Sequence, residues 1–423
     1  MTTMLPNSMN YQDTHASLPE GMTATQITLS PANGSTFSAG GSVIQFDYLN
    51  RGFIDPTSIF LRYKYTLTSA VGAQMIGTPV YTPFIRNELL IGSSVVESQN
   101  QYNQNCNLLV NLSTDVSAKY GLQSAYGYGD ASGGTSAPSP PMSAMDGRTC
   151  AVNEVGFFSG MLPGMLSNCE KLIPAFAMPQ IRTQLTLDSI ANIFTIAVVP
   201  TGFVLSNVEL VYTMIDAGQQ VEAMVRSLGT FYIKSQSLVN SSVTLASGTT
   251  GSISLVFNQR LASVKSAFVL FTGTTANSLN KWGDWYDPTS NNGEISINVG
   301  GISYPQRPLS TLTNKSGILQ YLRNATGSIY DKNNSLSINS VEWNRIGNDV
   351  TTVSESAKFI IGVSLEKMHT PALLTGISTQ NSAITVLVST STATAQAHTV
   401  NLVLSYDALI EIDVNSRQVA VKM

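Results

Sequence analysis

Charge is scarce in this chain. Asp, Glu, Lys and Arg make up 11% of its 423 residues, against about 25% in an ordinary globular protein. A chain so poor in charge is not a disordered polyelectrolyte. It also lacks the clustered cations that bind phosphate backbones. The formal net charge is −4, and the closest basic group is Arg307, Lys315 and Arg323. Direct condensation of a genome, or sequence-specific binding to nucleic acid, is not expected. Cysteine is equally sparse. Cys106, Cys150 and Cys169 are odd in number and widely spaced, which fits neither a disulfide framework nor a zinc site. Free, mostly buried thiols in a reducing compartment are the simpler reading; one disulfide with one thiol left over stays open. Only His15, His369 and His398 are available as imidazoles. They form no HExxH pair, and no GxSxG elbow accompanies them, so they read as surface or loop histidines. The glycines at 127, 129, 133 and 134 do not sit in a phosphate-cradling GxxxxGK[ST] frame. No catalytic residue, metal site or cofactor is therefore expected. The longest apolar run, Ile193 to Pro200, is strand-sized and far below the roughly 20 residues of a membrane helix. The N-terminus has no basic segment followed by an apolar core, so a soluble protein outside the secretory route is expected.

What the chain does have is apolar residues, 43% of the total, in short β-rich runs separated by turn chemistry. Ala24–Ser30, Ser42–Leu49 and Ser58–Leu67 alternate apolar and polar residues. In the last of these Ile59, Leu61, Tyr63 and Tyr65 fall on one face. Period two with β-branched and aromatic enrichment predicts strands. The same pattern predicts strands at Glu88–Glu97, Leu108–Leu112, Gln180–Leu187, Phe194–Val199 and Val204–Ile215. It recurs at Thr230–Leu238, Ser252–Phe257, Ser266–Thr272, Gly293–Val299, Ser335–Ser340, Ala357–Leu365, Ile384–Thr390 and Thr399–Ile412. Two short helices interrupt it. Ala217–Arg226 carries a small apolar stripe of Val221, Met224 and Val225 behind Asp216 as N-cap, and Ser316–Asn324 places Ile318, Leu319 and Leu322 on one face.

The order is thus strands, one linking helix, then strands again, with each half about the size of one all-β domain. Both halves end alike, in NVELVYTMID to Asp216 and TVNLVLSYD to Asp407. Two β-sandwiches in tandem follow. The expected division is an arm at 1–22, a first domain at 23–216, a linking helix at 217–227 and a second domain at 228–423. Residues 120–149, rich in Gly, Ser, Ala and Pro, read as a long surface loop within the first domain. Exposed loop aromatics are the candidate subunit contacts: Tyr126, Tyr128, Trp282, Trp285 and Tyr286. The competing reading is that these rings cap their own domain's core. Asp284 and Asp287 beside the tryptophans in WGDWYDP suggest either a sugar or Ca²⁺ site or, more simply, a turn closed by Asp287 and Pro288.

At this point the chain resembles the double jelly-roll major capsid proteins of DNA viruses, especially those of virophages and polinton-like viruses. The resemblance lies in Thr82–Leu109, which runs from RNELLIGSSVVES into an Asn/Gln/Tyr-rich stretch, and in Ser254–Phe271. It continues through Glu294–Pro308 with the helix after it, Phe359–Lys367, Leu374–Thr379 and the last strand to Tyr406 and Asp407. These segments follow the family's order, although the 120–149 loop matches nothing in it. The chain is shorter than many giant-virus relatives, so large exterior towers are not expected. The resemblance implies an all-β fold of two tandem eight-stranded jelly rolls, here joined by a short helix. It further implies a homotrimer that forms a pseudo-hexagonal capsomer of an icosahedral virion. The implied partners are other copies of the chain, a single jelly-roll penton protein and minor capsid proteins; an internal membrane is left open. A carbohydrate-binding or adhesin-like β-sandwich built on the WGDWYDP loop is the alternative, and a β-sandwich hydrolase lacks an acid/base constellation.

Overall fold

The computed structural model describes residues 22–130, 147–195, 198–273, 281–327, 338, 343, 357–367, 374–394 and 396–423. The alternating runs form antiparallel sheets. In the first half the main strands are β1 (Thr23–Leu29), β2 (Thr36–Ser38), β3 (Val43–Asp47), β4 (Phe60–Thr68), β5 (Phe84–Ile91), β6 (Ser94–Asn100), β7 (Val155–Met161), β8 (Ile181–Leu187) and β9 (Gly202–Asp216). One sheet runs β7-β4-β9, with β1 and β2 lying along the other side of β9; the second runs β3-β8-β5-β6. β4 shows why these runs become strands. Leu61, Tyr63, Tyr65 and Leu67 point into the core, while Arg62 and Thr68 face water.

The second half contains β10 (Thr230–Leu245), β11 (Gly251–Phe257), β12 (Val264–Gly273), β13 (Gly293–Val299), β14 (Ile302–Ser310), β15 (Ile360–Ser364), β16 (Ile384–Thr390), β17 (His398–Asp413) and β18 (Gln418–Lys422). Its sheets run β15-β12-β17-β10, with β18 on β17, and β11-β16-β13-β14. Position for position this is the order of the first half, and no described sheet mixes strands from the two halves. The two similar segments ending at Asp216 and Asp407 lie in β9 and β17, which hold the same place in their sheets. β12 is buried at every position because helix α3 (Lys315–Gly327) packs on its sheet, and Ser266 Oγ donates to Ala325 O at 3.0 Å.

Three longer helices lie among the strands: α1 (Tyr102–Ser113), α2 (Gly218–Ser227) and α3. The helices expected at Ala217–Arg226 and Ser316–Asn324 are α2 and α3. Asp216 sits one residue before the N-cap Ala217, and its carboxylate accepts from the Gly218 N–H at 3.0 Å. Three strand expectations are corrected. Leu108–Leu112 lies in α1, since a short apolar run does not distinguish a buried strand from a buried helix. Glu88–Glu97 is two strands folded around Gly92, whose φ of 64° makes the turn. Phe194 makes only an isolated bridge to Met75, and residues 198–200 are not strand. Ser335–Ser340 falls almost entirely outside the described residues. The 120–149 segment is not wholly irregular: Gln123–Tyr126 is a helical turn, and Gly129–Asp130 pairs with Arg148–Thr149. Residues 131–146 and the arm at 1–21 lie outside the described residues. No described helix is long and apolar enough to cross a membrane.

β7 was not expected, because Gly156 and Gly160 break its β signature. Gly156 is nevertheless required where it stands: a Cβ there would overlap the ring of Tyr65, which is fully buried and donates to Glu154 Oε1 at 2.5 Å. Gly156→Ala is expected to destabilise the chain by about 1–3 kcal/mol through overpacking. Urea denaturation would measure it, with Gly121→Ala, whose Cβ meets open space, as the comparison.

Candidate functional site: the seam between the two halves

The edge strand β6 of the first half meets the edge strand β10 of the second. Between and around them lie α1 and the 162–170 segment that follows β7. α1 carries the sequence YNQNCNLLVNLS, and Tyr102 to Leu112 are all buried. Its amides are therefore interior groups that need partners.

At the centre is Glu97, 4% exposed. The Met165 N–H donates to both of its oxygens, at 3.0 and 2.9 Å, and Gln99 Nε2 donates at 2.7 Å. From the other half, Ser237 Oγ donates to the same carboxylate. Burial pushes the Glu97 carboxyl above the ordinary range, opposed by the hydrogen bonds from Ser237, Gln99 and Met165. Around it the two halves exchange further bonds. Glu170 N donates to Lys234 O at 3.0 Å, and Asn168 Nδ2 to Gln236 O at 3.0 Å. Asn240 Nδ2 donates to Asn105 Oδ1 at 3.2 Å, and Ser235 Oγ donates to Met165 O. Lys234 Nζ lies 3.6 Å from Glu170 and 3.8 Å from Asp407. Burial also raises the Asp407 carboxyl, with Lys265 and Lys234 pulling it back. The carbonyls along the outer edge of β10, which an edge strand leaves unpaired, are thus capped by the first half.

The five aromatic candidates are corrected. Tyr128, Trp282, Trp285 and Tyr286 are buried within the chain, and Tyr126 is half-buried, so they are not exposed loop aromatics. Trp282 spans the seam. Its Nε1 donates to Asn192 O at 2.9 Å, and a Cβ on Gly77 would stand 3.0 Å from its ring. The backbone of Trp285 bridges Ala357 and Phe359, and Lys358 lies 4.7 Å over its ring. Tyr128 shares a hydrogen bond with Thr78 at 3.0 Å, and Tyr126 packs edge-on to Tyr81. Asp287 accepts from Thr289 N, Thr289 Oγ1 and Asn291 N, the turn read from the sequence. Asp284 accepts from Ala357 N at 3.3 Å and from Tyr286 OH at 3.3 Å.

The nucleophile candidates are inert. All three cysteines are free and buried. Burial pushes the Cys150 and Cys169 thiols up to about 12 and Cys106 higher still, so none is a thiolate at neutral pH. His398 is 2% exposed, which corrects its reading as a surface or loop residue; burial lowers its pKa to about 4, leaving a neutral imidazole. His15 and His369 lie outside the described residues. Among the described residues no three His, Cys, Asp or Glu side chains cluster as a metal site would require. The seam joins the halves through these hydrogen bonds and ion pairs.

No family model and no curated relative matches the chain. Solved structures do. PBCV-1 VP54, as fitted into a cryo-EM reconstruction of the virophage Sputnik, aligns over 97% of this chain and 98% of its own, with a TM-score of 0.61 at 10% identity. A chain of the Sputnik virophage cryo-EM structure aligns over 100% and 93%, with a TM-score of 0.58 at 11% identity. The mavirus major capsid protein aligns over 100% and 95%, with a TM-score of 0.54 at 10% identity. The fold is the double jelly roll. Each half is one roll built on two main sheets, of seven and four strands in the first half and five and four in the second, and the seam is where roll meets roll.

The sign of the Glu97 shift yields a test. A raised carboxyl keeps its proton where an unfolded glutamate, near about 4.3, has lost it. Its stabilising contribution is therefore full below that pH and declines as pH rises through the raised value. Above pH 4.3 the melting temperature of Glu97→Gln should fall less steeply with pH than that of the natural chain, as read by calorimetry across pH 4–8. Glu97→Ala strands the buried donors of Gln99, Ser237 and Met165 and should cost about 3 kcal/mol.

Proposed function

We propose that this chain is the major capsid protein of an icosahedral DNA virus, and that three copies form a pseudo-hexagonal capsomer of six jelly rolls. The observation that carries the proposal is two-way coverage. Both rolls, in order, span nearly the whole of chains whose structures are described as capsid proteins. The physical chemistry agrees. With 11% charged residues, copies approach one another with little repulsion. A row of apolar side chains also stands outward on the β7 edge, where Val155, Phe157 and Met161 are 51%, 66% and 41% exposed.

On this reading residues 1–22 are an arm, 23–216 the first roll with a variable loop at 120–149, 217–227 the linking helix and 228–423 the second roll. The protein resides in the virion after synthesis in the host cytoplasm. A single jelly-roll penton protein fills the vertices, and minor capsid proteins join facets. Its role is structural and not enzymatic. The adhesin alternative loses its basis, because Trp282 and Trp285 are buried and Asp287 closes a turn.

Light scattering coupled to size exclusion tests the proposal. The expected mass is three times the 45.2 kDa of one chain. A monomer that persists at high protein concentration would overturn it.

A further inference from the structure

The linking helix is short of cover. α2 has ten residues, and none of them is buried. A helix of this length is marginal in water and holds its shape by packing an apolar face. Val221, Met224, Val225 and Leu228 lie within about 100° of one another around the axis, the width of such a face. Val221 and Val225 rest partly buried against the core, and Arg226 lies 5.0 Å over the ring of Phe176. Met224 and Leu228 stand beside them in solvent, 69% and 63% exposed. They are four residues apart, so their side chains form one continuous patch. Half of the stripe is packed, and half is bare.

We infer that residues 9–21 of the same chain fold back over α2 and cover Met224 and Leu228. The direction of the chain supplies this occupant. β1 and β9 are antiparallel, and Thr23 stands opposite Asp216. Followed backwards from Thr23, the chain therefore leaves the sheet on the side where α2 begins, two residues after Asp216. Met22, the first described residue, is already partly buried against the core there. α2 is about 15 Å long. The five steps from Thr23 back to Leu18 reach about 17 Å when extended, so Leu18 can lie on either exposed side chain. Met9 and Tyr11, further back, extend the apolar strip. A segment tethered so closely acts at an effective concentration in the millimolar range.

Charge argues for this occupant over others. Residues 1–21 include Met1, Met4, Leu5, Met9, Tyr11 and Leu18 but no lysine or arginine. An anionic lipid surface or a nucleic acid attracts such cations, so neither is drawn to the arm by charge. α2 offers no net charge either, since it carries one glutamate, Glu222, and one arginine, Arg226. What arm and helix offer each other is methionine and leucine on both sides, and methionine adapts readily to an irregular apolar surface. The contact lies within one chain, so it stands apart from the trimeric reading above.

A double-mutant cycle tests the inference. Met224→Ala with Leu228→Ala keeps helix propensity and removes the patch. In the natural chain these two substitutions should lower the melting temperature by about 2–4 °C. In a chain that begins at Met22 they should leave it unchanged. Hydrogen exchange gives a second readout. The amides of Gly218–Ser227 should exchange at least about tenfold faster when residues 1–21 are absent, at protein concentrations on both sides of the one at which the chain associates. A chain that begins at Met9 should exchange like the natural one. Equal losses of melting temperature in the two backgrounds, or equal exchange with and without the arm, would overturn the inference. So would protection of α2 that appears only on association, which puts a second copy there, or only with added phosphatidylserine vesicles, which puts a membrane there.

Discussion

One buried carboxylate holds the arrangement together. Glu97 stands on the first roll and takes a hydrogen bond from Ser237 on the second, while its remaining donors come from its own roll. A buried polar group that loses a hydrogen-bond partner is costly, so the position of each roll relative to the other is set by the need to satisfy this group and its neighbours. Sliding one roll along the other would separate Glu97 from Ser237, Asn105 from Asn240 and Glu170 from Lys234 together. Apolar contacts alone tolerate such slippage, since burial of area is not directional. Polar groups at the seam therefore give a defined angle between rolls.

The same seam resolves a hazard of the fold. A jelly roll has edge strands, and an open edge invites pairing with any exposed strand. Here one edge of each roll is capped by loop and side-chain groups of the other, so that the interaction is specific rather than adhesive. The other buried titratable groups hold the fold together: thiols kept protonated by burial, a neutral His398, Asp287 closing a turn and Asp284 accepting from Ala357 N.

Much of this was legible in the sequence, and the limits have physical causes. Alternation marked β4, β8 and β9 well, because one face of each is more deeply buried than the other. The matching ends at Asp216 and Asp407 pointed to equivalent strands. The tandem rolls needed the ordered family-like segments in addition, since alternation does not specify how strands are arranged. α1 was hidden because all its faces are buried, which removes the helical period, and β7 because its glycines make room for Tyr65. The aromatics were misplaced for a related reason: a loop between strands reads as surface, but the loop holding Trp282 folds into the seam. Glu97 carried no local signal. Its importance comes from Met165 and Ser237, distant in sequence and adjacent only in the fold.

That three copies of this chain form one capsomer of six rolls is tested most directly by electron microscopy of the purified protein. Class averages showing a closed ring of six similar lobes, two from each of three chains, are the predicted result. Two-lobed particles that stay separate at every concentration examined would contradict it.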